Sequence, residues 1–482
     1  LAQVDTTPGS PWWWLDVLER RQMMRRADLQ RMERFYRGDH PMPFLTDAHR
    51  GKMRDQFKQL LNESQSNFMR LVVDVVEERL AVDGFSTGDD AADAKADDIW
   101  TANDMESASQ VAFLEALVKG VSYLSVWPDQ DGDGQPDIRI EDPLETIIAY
   151  APGTAMRQRD AAAKFWLDDL TGDARANVYL PDRIVRFRGA GSILAPSTTV
   201  TAANALDMEA SSTRWEMLQE DGEVHNPAGV VPIVPLRNRP RLLLEGESEL
   251  ADVWKIQQQI NGFLFLLALA GYFGAHKQRW AVGLTLHEDA NGKPMEPFDV
   301  AIDRLIYSEN PNSKFGEFKE TDLEGYIKAI EQKVLHIAVT TRTPRHYLIQ
   351  QGQSPSGDAI RSAESGLVKK VLRKQRTFGQ GLEEVMRLAR VLAGEKKPPR
   401  SEVMWARPQT DVESALTDAV LKQFGANLID QHTALTKLGY TKSEAAAIIT
   451  ATADSSTTTP EAPESPGEEG GETPPQGGTP AQ

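Results

Sequence analysis

Residues Gly262–Ala275 read GFLFLLALAGYFGA, fourteen positions without a charged side chain. They lie inside a helical pattern that begins near Ser248 and runs to about Arg279. At 1.5 Å per residue such a helix spans roughly 48 Å. Its middle is apolar nearly all round, interrupted by Asn261. Fourteen residues are too few for a standard membrane span, which needs about 20. A helix apolar on every face must then be covered by other helices. Gly262, Gly271 and Gly274 weaken it in isolation but allow close packing against neighbours.

The rest of the chain has the material for such a fold. It has 482 residues, 40% of them hydrophobic, enough for two or three folding units and incompatible with wholesale disorder. Acidic residues outnumber basic ones 71 to 53, a formal charge of -18. That balance argues against a surface that grips nucleic acid everywhere and leaves local basic patches open. The absence of cysteine excludes disulfides, Cys-ligated zinc, iron–sulfur clusters and thiol catalysis. The opening LAQVDTTPGSPWWWLDVL has neither a basic n-region nor a signal-peptide apolar core, so no targeting segment is expected.

Helices are expected over the first 80 residues. Leu15, Leu18, Leu29, Met32 and Phe35 form a broken apolar face, with seven arginines between Arg20 and Arg37. Those arginines read as a solvated face balanced by Asp16, Glu19, Asp28 and Glu33, in preference to a contact with DNA or with an acidic partner. Asn67–Leu80 is a stronger helix. A Gly/Asp-rich loop is expected over Asp83–Asp93, then a helix around Met105–Lys119. From Val121 the period becomes two. YLSVWPDQDGDGQPDIRIEDP reads strand, turn, strand. Asp129, Asp131, Asp133 and Gly134 imitate the start of an EF-hand loop. Ile140 stands where its glutamate belongs and no exiting helix follows, so a polar hairpin turn is the reading. Strand-like pieces continue at Ile147–Tyr150, Ala163–Asp168, Asn177–Leu180 and Ile184–Arg188, and Val230–Leu236 leads through Asn238 and Pro240 to the long apolar helix.

Beyond the apolar helix, residues 280–320 hold turn residues and short strand candidates. A largely buried helix follows over Asp322–Thr341, with Thr321 as its cap. TPRHYLIQQGQSPSGDAI is bounded by Pro344 and Pro355 and reads as a loop. A very long helix spans Gly357–Leu392, where Gly379 and Gly381 predict a kink or break. Val403 opens a short strand. Small helices are expected over Leu416–Leu438 and Thr441–Thr450, the second with a Thr441/Glu444 capping box. Residues 451–482 hold six prolines, six acidic residues and almost nothing apolar, and should be disordered.

No motif specifies catalysis. There is no G-x-x-x-x-G-K-[ST], no G-x-G-x-x-G, no G-x-S-x-G and no H-E-x-x-H. The eight histidines form no i,i+4 ligand pair. Asp89–Asp90 and Asp168–Asp169 read as solvated turns. Neither cofactor, metal nor enzymatic activity is expected.

The order of elements resembles the portal proteins of tailed bacteriophages, of the siphophage type. The likeness rests on YRGDHPMPF with Asn67–Phe85, on Tyr123–Pro143, on Glu249–Gly283, and above all on TPRHYLIQQGQSPSGDAIRSAESGLVKKVLRKQ (Thr343–Gln375). It covers about residues 15–450. It implies an α+β portal fold assembled as a ring, typically of about twelve copies, at one capsid vertex. It implies a mixed wing domain (1–247), long stem helices (248–279 and 321–341) and a small α/β clip (280–320). A tunnel loop (342–355), a long helix returning to the wing (356–410) and a helical crown (411–450) complete it, before the tail (451–482). It places Arg342, Arg345, His346, Gln350 and Gln351 on the tunnel loop, as candidates to face the channel. Lys369, Lys370, Arg373, Lys374 and Arg376 form a basic patch, expected to meet acidic wing surface of the next subunit in preference to DNA inside the capsid. The implied partners are the large terminase, the head–tail adaptor, the major capsid and scaffold proteins, and double-stranded DNA in the channel. No membrane is involved, and the place is the virion's portal vertex after assembly in the host cytoplasm. An acidic ring repels phosphates, which suits a conduit in which DNA must slide. The competing reading is a structural head–tail or scaffold adaptor that conducts nothing.

Overall fold

The computed structural model describes residues 5–41, 55–129, 132, 134–190, 214–275, 279–282, 312, 314–317, 322–349, 357–409, 413–440 and 442–456. Contacts divide the chain into two compact units, Leu1–Gln409 and Thr410–Gln482.

The first unit opens with helix α1 (Pro11–Arg37). Ser10 caps it by accepting from the Trp13 amide, and Pro11 occupies the first turn, where no amide hydrogen is missed. Gly38, at φ 89, ends it in the left-handed region. Leu15 and Leu18 pack on the large sheet, while Met32 and Phe35 enter the main core. Arg20, Arg31, Arg34 and Arg37 pair with Asp16, Asp28, Asp39 and Glu33, the balanced face the sequence suggests. Glu19 is different: it is buried and takes a bidentate contact from Arg214.

Helices α2 (Asp55–Glu63) and α3 (Phe68–Glu77) follow, then strand β1 (Val82–Ser86) and helices α4 (Asp90–Ala102) and α5 (Met105–Lys119). The expected Asp83–Asp93 loop is thus corrected. Its first half is a strand, and its aspartates start a helix: Asp89 caps α4 and Asp90 and Asp93 sit in the first turn. Carboxylates there complement the helix dipole.

Strands β2 (Val121–Trp127) and β3 (Asp137–Glu141) form the expected hairpin, with Tyr123 opposite Glu141 and Trp127 opposite Asp137. Asp129 accepts from the amides of Gly132 and Gly134, as a turn requires. Asp131 and Asp133 lie outside the described residues. An antiparallel sheet continues through β4 (Thr146–Tyr150), β5 (Arg159–Leu167), β6 (Asp173–Tyr179), β7 (Arg183–Ala190) and β8 (Trp215–Met217), with β9 (Glu223–His225) also on β7. On β5, Ala161, Ala163 and Phe165 join the cluster beneath α1, while Ala162 joins another with Tyr123 and Ile233. Both faces are covered at Ala161–Ala163, which removes the alternation there, while Lys164 and Trp166 stay half-buried on either side of Phe165. Strand β10 (Ile233–Arg237) pairs with β2 to complete a three-stranded sheet.

Helix α6 (Trp254–Ala275) is the apolar helix. It begins six residues later than the pattern suggests, because Glu249–Val253 make turns. Its first half is buried through Gln257, Ile260 and Asn261, but Leu266 and Tyr272 are 40% and 43% exposed. A Cβ on Gly271 would meet nothing within 4 Å. The cover demanded by the sequence is incomplete within one chain.

An antiparallel ribbon, β11 (Arg279–Val282) and β12 (Lys314–Glu317), follows α6 and leads to helix α7 (Glu324–Thr341). The ribbon joins the end of α6 to the start of α7, so the two helices return on each other and pack together. Burial of α7 is confined to its last turns, at Val334, Ile337, Ala338 and Thr341, whereas Ile327 is 46% exposed. Leu323 holds its N-cap position, and Thr321 lies outside the described residues.

After α8 (Arg345–Leu348), the 36-residue helix α9 (Gly357–Leu392) runs unbroken through Gly379 and Gly381. A Cβ on Gly381 would lie 2.5 Å from Leu236 Cδ2 and 3.0 Å from the Pro235 carbonyl oxygen. These glycines therefore admit a close approach of helix to sheet. They do not break the helix as expected. Strand β13 (Glu402–Trp405) pairs antiparallel with β1, some 320 residues earlier in the chain.

The second unit holds helices α10 (Glu413–Gly425), α11 (Gln431–Lys437) and α12 (Lys442–Ser456). Residues 451–456 continue the last helix, contrary to the expectation of disorder from Ala451. Thr441 and residues 457–482 lie outside the described residues.

Candidate functional site

The channel candidates follow the end of α7. Arg342 takes φ 58 and closes that helix, and its amide donates to the Val339 carbonyl at 3.3 Å. The Thr343 amide donates to Ala338 at 3.0 Å, while the buried hydroxyls of Thr341 and Thr343 meet at 2.8 Å. Pro344 sets the N-cap of α8. The stretch expected as a simple loop therefore contains a helical turn.

That turn is fastened by Tyr347. Its hydroxyl donates to Glu364 at 2.7 Å and accepts from Arg79 at 2.8 Å. Arg79 also lies over the Tyr347 ring, and its guanidinium stands 3.5 Å from the buried Glu364 carboxylate. Burial comes first among the causes that push the Tyr347 phenol pKa up. The segment is thus tied to Arg79, two residues past the end of α3, and to the first turns of α9. Arg342 and Arg345 are exposed, and His346 is half-buried with Nε2 3.9 Å from Glu364. Gln350 and Gln351 lie outside the described residues.

The basic patch on α9 splits by helical period. Lys369, Arg373 and Arg376 are spaced i, i+4, i+7 and are exposed. Lys370 and Lys374 lie one position further round and point inward. Lys370 Nζ is 2.8 Å from Glu249 and donates to the Thr341 carbonyl at 3.0 Å. Lys374 bonds Glu249 and Asn238. These two lysines are consumed within the chain, which corrects the expectation that all five reach a neighbour. One carboxylate between two ammonium groups has an unequal consequence. Burial would raise the Glu249 pKa, but Lys370 and Lys374 hold it far below the usual carboxylate range. Burial brings Lys374 down to about 8, because its share of one carboxylate does not offset the lost water. Glu249 gave no sign of this role in the sequence, since its two lysine partners lie more than 120 positions away.

Together these contacts build a clasp. The end of α7, the turn after it, the start of α9 and the lead-in to α6 are held by ion pairs and hydrogen bonds shielded from solvent. Arg342 and Arg345 are carried on its exterior. Among the described residues no group of three His, Asp or Glu side chains is arranged to hold a metal ion, and no helix is long and apolar enough to cross a membrane.

The chain matches the phage portal protein family, SPP1 Gp6-like, over residues 15–451. It belongs to that family. It is 30% identical over 406 residues to the portal protein of Mycobacterium phage L5, covering 81% of this chain and 78% of that one. Against the portal protein of Mycobacterium phage D29 the identity is 29% over 396 residues, covering 78% and 76%. The family's portals are the channels through which phage DNA is packaged and ejected, and that is the function of this chain. Portal proteins are structural, so no residue here is assigned to catalysis. Their place is the viral capsid. The match spans α1 to most of α12.

Proposed function

We propose that copies of this chain close into a ring of about twelve subunits around a central opening that passes double-stranded DNA. The observation that carries this reading is the half-covered helix Trp254–Ala275. It leaves Leu266 and Tyr272 exposed on a helix with no charged residue after Lys255. Cover from neighbouring copies removes that apolar surface from water. In this reading residues 248–279 and 321–341 are the stem, 280–320 the clip and 342–355 the tunnel loop. Residues 1–247 and 356–410 form the wing, and 411–450 the crown. The clip docks the large terminase during packaging and the head–tail adaptor afterwards, and the outer surfaces meet the major capsid and scaffold proteins. Assembly takes place in the host cytoplasm.

Arg342 and Arg345, exposed on the clasp, are the cations that steady the duplex at the constriction, together with His346, Gln350 and Gln351. Lys369, Arg373 and Arg376 meet acidic surface of the next subunit, the reading that leaves fewest long basic side chains unpaired. End views of the purified protein by electron microscopy test the ring. A closed assembly with no central opening would favour a non-conducting adaptor. Alanine at Arg342 and Arg345 should leave the ring intact and alter DNA packaging or retention; normal packaging and retention would remove the channel role of these arginines.

A further inference from the structure

An open groove lies between the three-stranded and the large antiparallel sheets. It encloses about 360 Å³ and is lined by Trp127, Trp166 and Tyr179, with Arg139, Lys164 and Arg186. A second hollow of about 300 Å³ shares Trp166, Asn177 and Arg186 with it, so the concavity is elongated. Both indoles are half-buried, and Lys164 Nζ sits 5.5 Å from the Trp166 ring centre. The cations differ in how they are satisfied. Lys164 pairs with Glu141 at 2.7 Å and Arg139 pairs with Asp137. Arg186 lies on β7 opposite Asn177, half-buried, and has no carboxylate partner among the described residues. An elongated aromatic groove with a guanidinium that has no carboxylate partner among the described residues suits an extended chain that offers both rings and carboxylates.

The chain carries such a sequence outside the described residues. Pro460, Pro463 and Pro466 recur every third residue, with Glu461 and Glu464 between them. A polyproline II helix has three residues per turn, so in that conformation prolines at this spacing would share one face and the two glutamates the next. Aromatic grooves bind proline so spaced because the helix is preformed and loses little entropy on docking. We propose that the groove binds the Pro460–Pro466 segment of a second copy of this chain. The prolines lie against Trp127 and Trp166, and a glutamate pairs with Arg186. The proposal rests on the ring reading in one respect: side-by-side copies present the segment at high effective concentration. Each subunit would then be strapped to another by its terminal segment.

The native chain has no cysteine, so a cross-link can be placed without interference. Ser125, in the groove lining, and Ser465, between two of the prolines, are replaced as Ser125→Cys and Ser465→Cys in the full chain. Mild oxidation should give chains linked to chains, read as a ladder on a denaturing gel. Adding Arg186→Ala, or alanine at all three prolines, should lower the yield about tenfold. The pair Ser362→Cys with Ser465→Cys, which places the first thiol on an exposed face of α9, sets the background. A yield no higher than background, a link only within one chain, or a yield untouched by Arg186→Ala would overturn the proposal. Microscopy of the same sample separates the two readings. Rings without the interchain link defeat the groove alone, and absence of rings defeats the ring whatever the gel shows.

Discussion

Glu249 and Lys370 are joined by a 2.8 Å ion pair between the lead-in to the apolar helix and the long helix Gly357–Leu392. The Glu249 side chain is 4% exposed, and Lys374 shares the same carboxylate. Removing the anion leaves two buried ammonium groups facing each other, whereas removing Lys374 leaves one good pair. Glu249→Gln should therefore cost about 3–5 kcal/mol, and Lys374→Met distinctly less. Urea unfolding of the two variants measures this. The pH dependence has a definite sign. The folded-state pKa of Glu249 is depressed, so its stabilisation is fully present above the ordinary carboxylate value of 4.5 and is lost as pH falls from there toward the depressed folded value. Acid unfolding of Glu249→Gln should show a shallower loss than the parent chain.

His40 supplies a second pH effect. It is buried, Nε2 faces the Phe35 carbonyl at 3.0 Å, and Nδ1 faces the Asn261 amide nitrogen at 2.8 Å. With Nε2 donating, Nδ1 must accept, so the ring is held neutral. Burial pushes its pKa below 6.5. The folded state then binds fewer protons than the unfolded one, and stability falls as pH drops below 6.5. Thermal melts between pH 7 and 5 should show this slope, and His40→Gln should flatten it.

The glycines of two helices should respond in opposite directions. Gly381→Ala drives a methyl group against Leu236 and the Pro235 carbonyl and should cost about 1–3 kcal/mol. Gly271→Ala enters open space in a single chain and should stabilise its helix by up to about 1 kcal/mol. Calorimetry of unassembled protein compares them directly.

Arg214 closes over the buried Glu19 with contacts of 2.9 and 2.7 Å, and the Trp215 indole donates to the same carboxylate at 3.2 Å. Arg214→Ala should destabilise the α1–sheet contact by about 3–5 kcal/mol, because a buried carboxylate loses its counter-charge. Glu19→Gln with Arg214→Met should recover much of the loss. A double-mutant cycle by urea unfolding reads both.

The sequence exposed what is periodic and hid what is distant. The bounds of the helix Gly357–Leu392 follow from Leu367, Val371, Phe378 and Leu382 recurring on one face, all of them buried. The hairpin at Asp129 follows from turn chemistry. Strand Val82–Ser86 was missed because its partner, Glu402–Trp405, lies at the other end of the unit. The helix Asp90–Ala102 was missed because its aspartates resemble a loop, although Ala92, Ala96, Ile99 and Trp100 carry a helical spacing. At the candidate site, the end of the helix at Thr341 was legible from Pro344 just beyond it, whereas the helical turn Arg345–Leu348 was not. The division of the five basic residues was not. Period alone separates Lys370 and Lys374 from Lys369 and Arg373, but only the fold brings Glu249 to the first pair.

The unbroken Gly357–Leu392 helix has a mechanical consequence. At 1.5 Å per residue it is a strut of about 54 Å, seated on Pro235 and Leu236 at Gly381 and against Trp405 at Gly379. Glu364 ties its first half to the turn bearing Arg345 through Tyr347, Lys370 ties it to the end of the helix before that turn, Lys374 ties it to Glu249, and its second half lies in the main core. A load on that turn has no hinge in which to dissipate and arrives at the far sheet as a displacement of the whole rod.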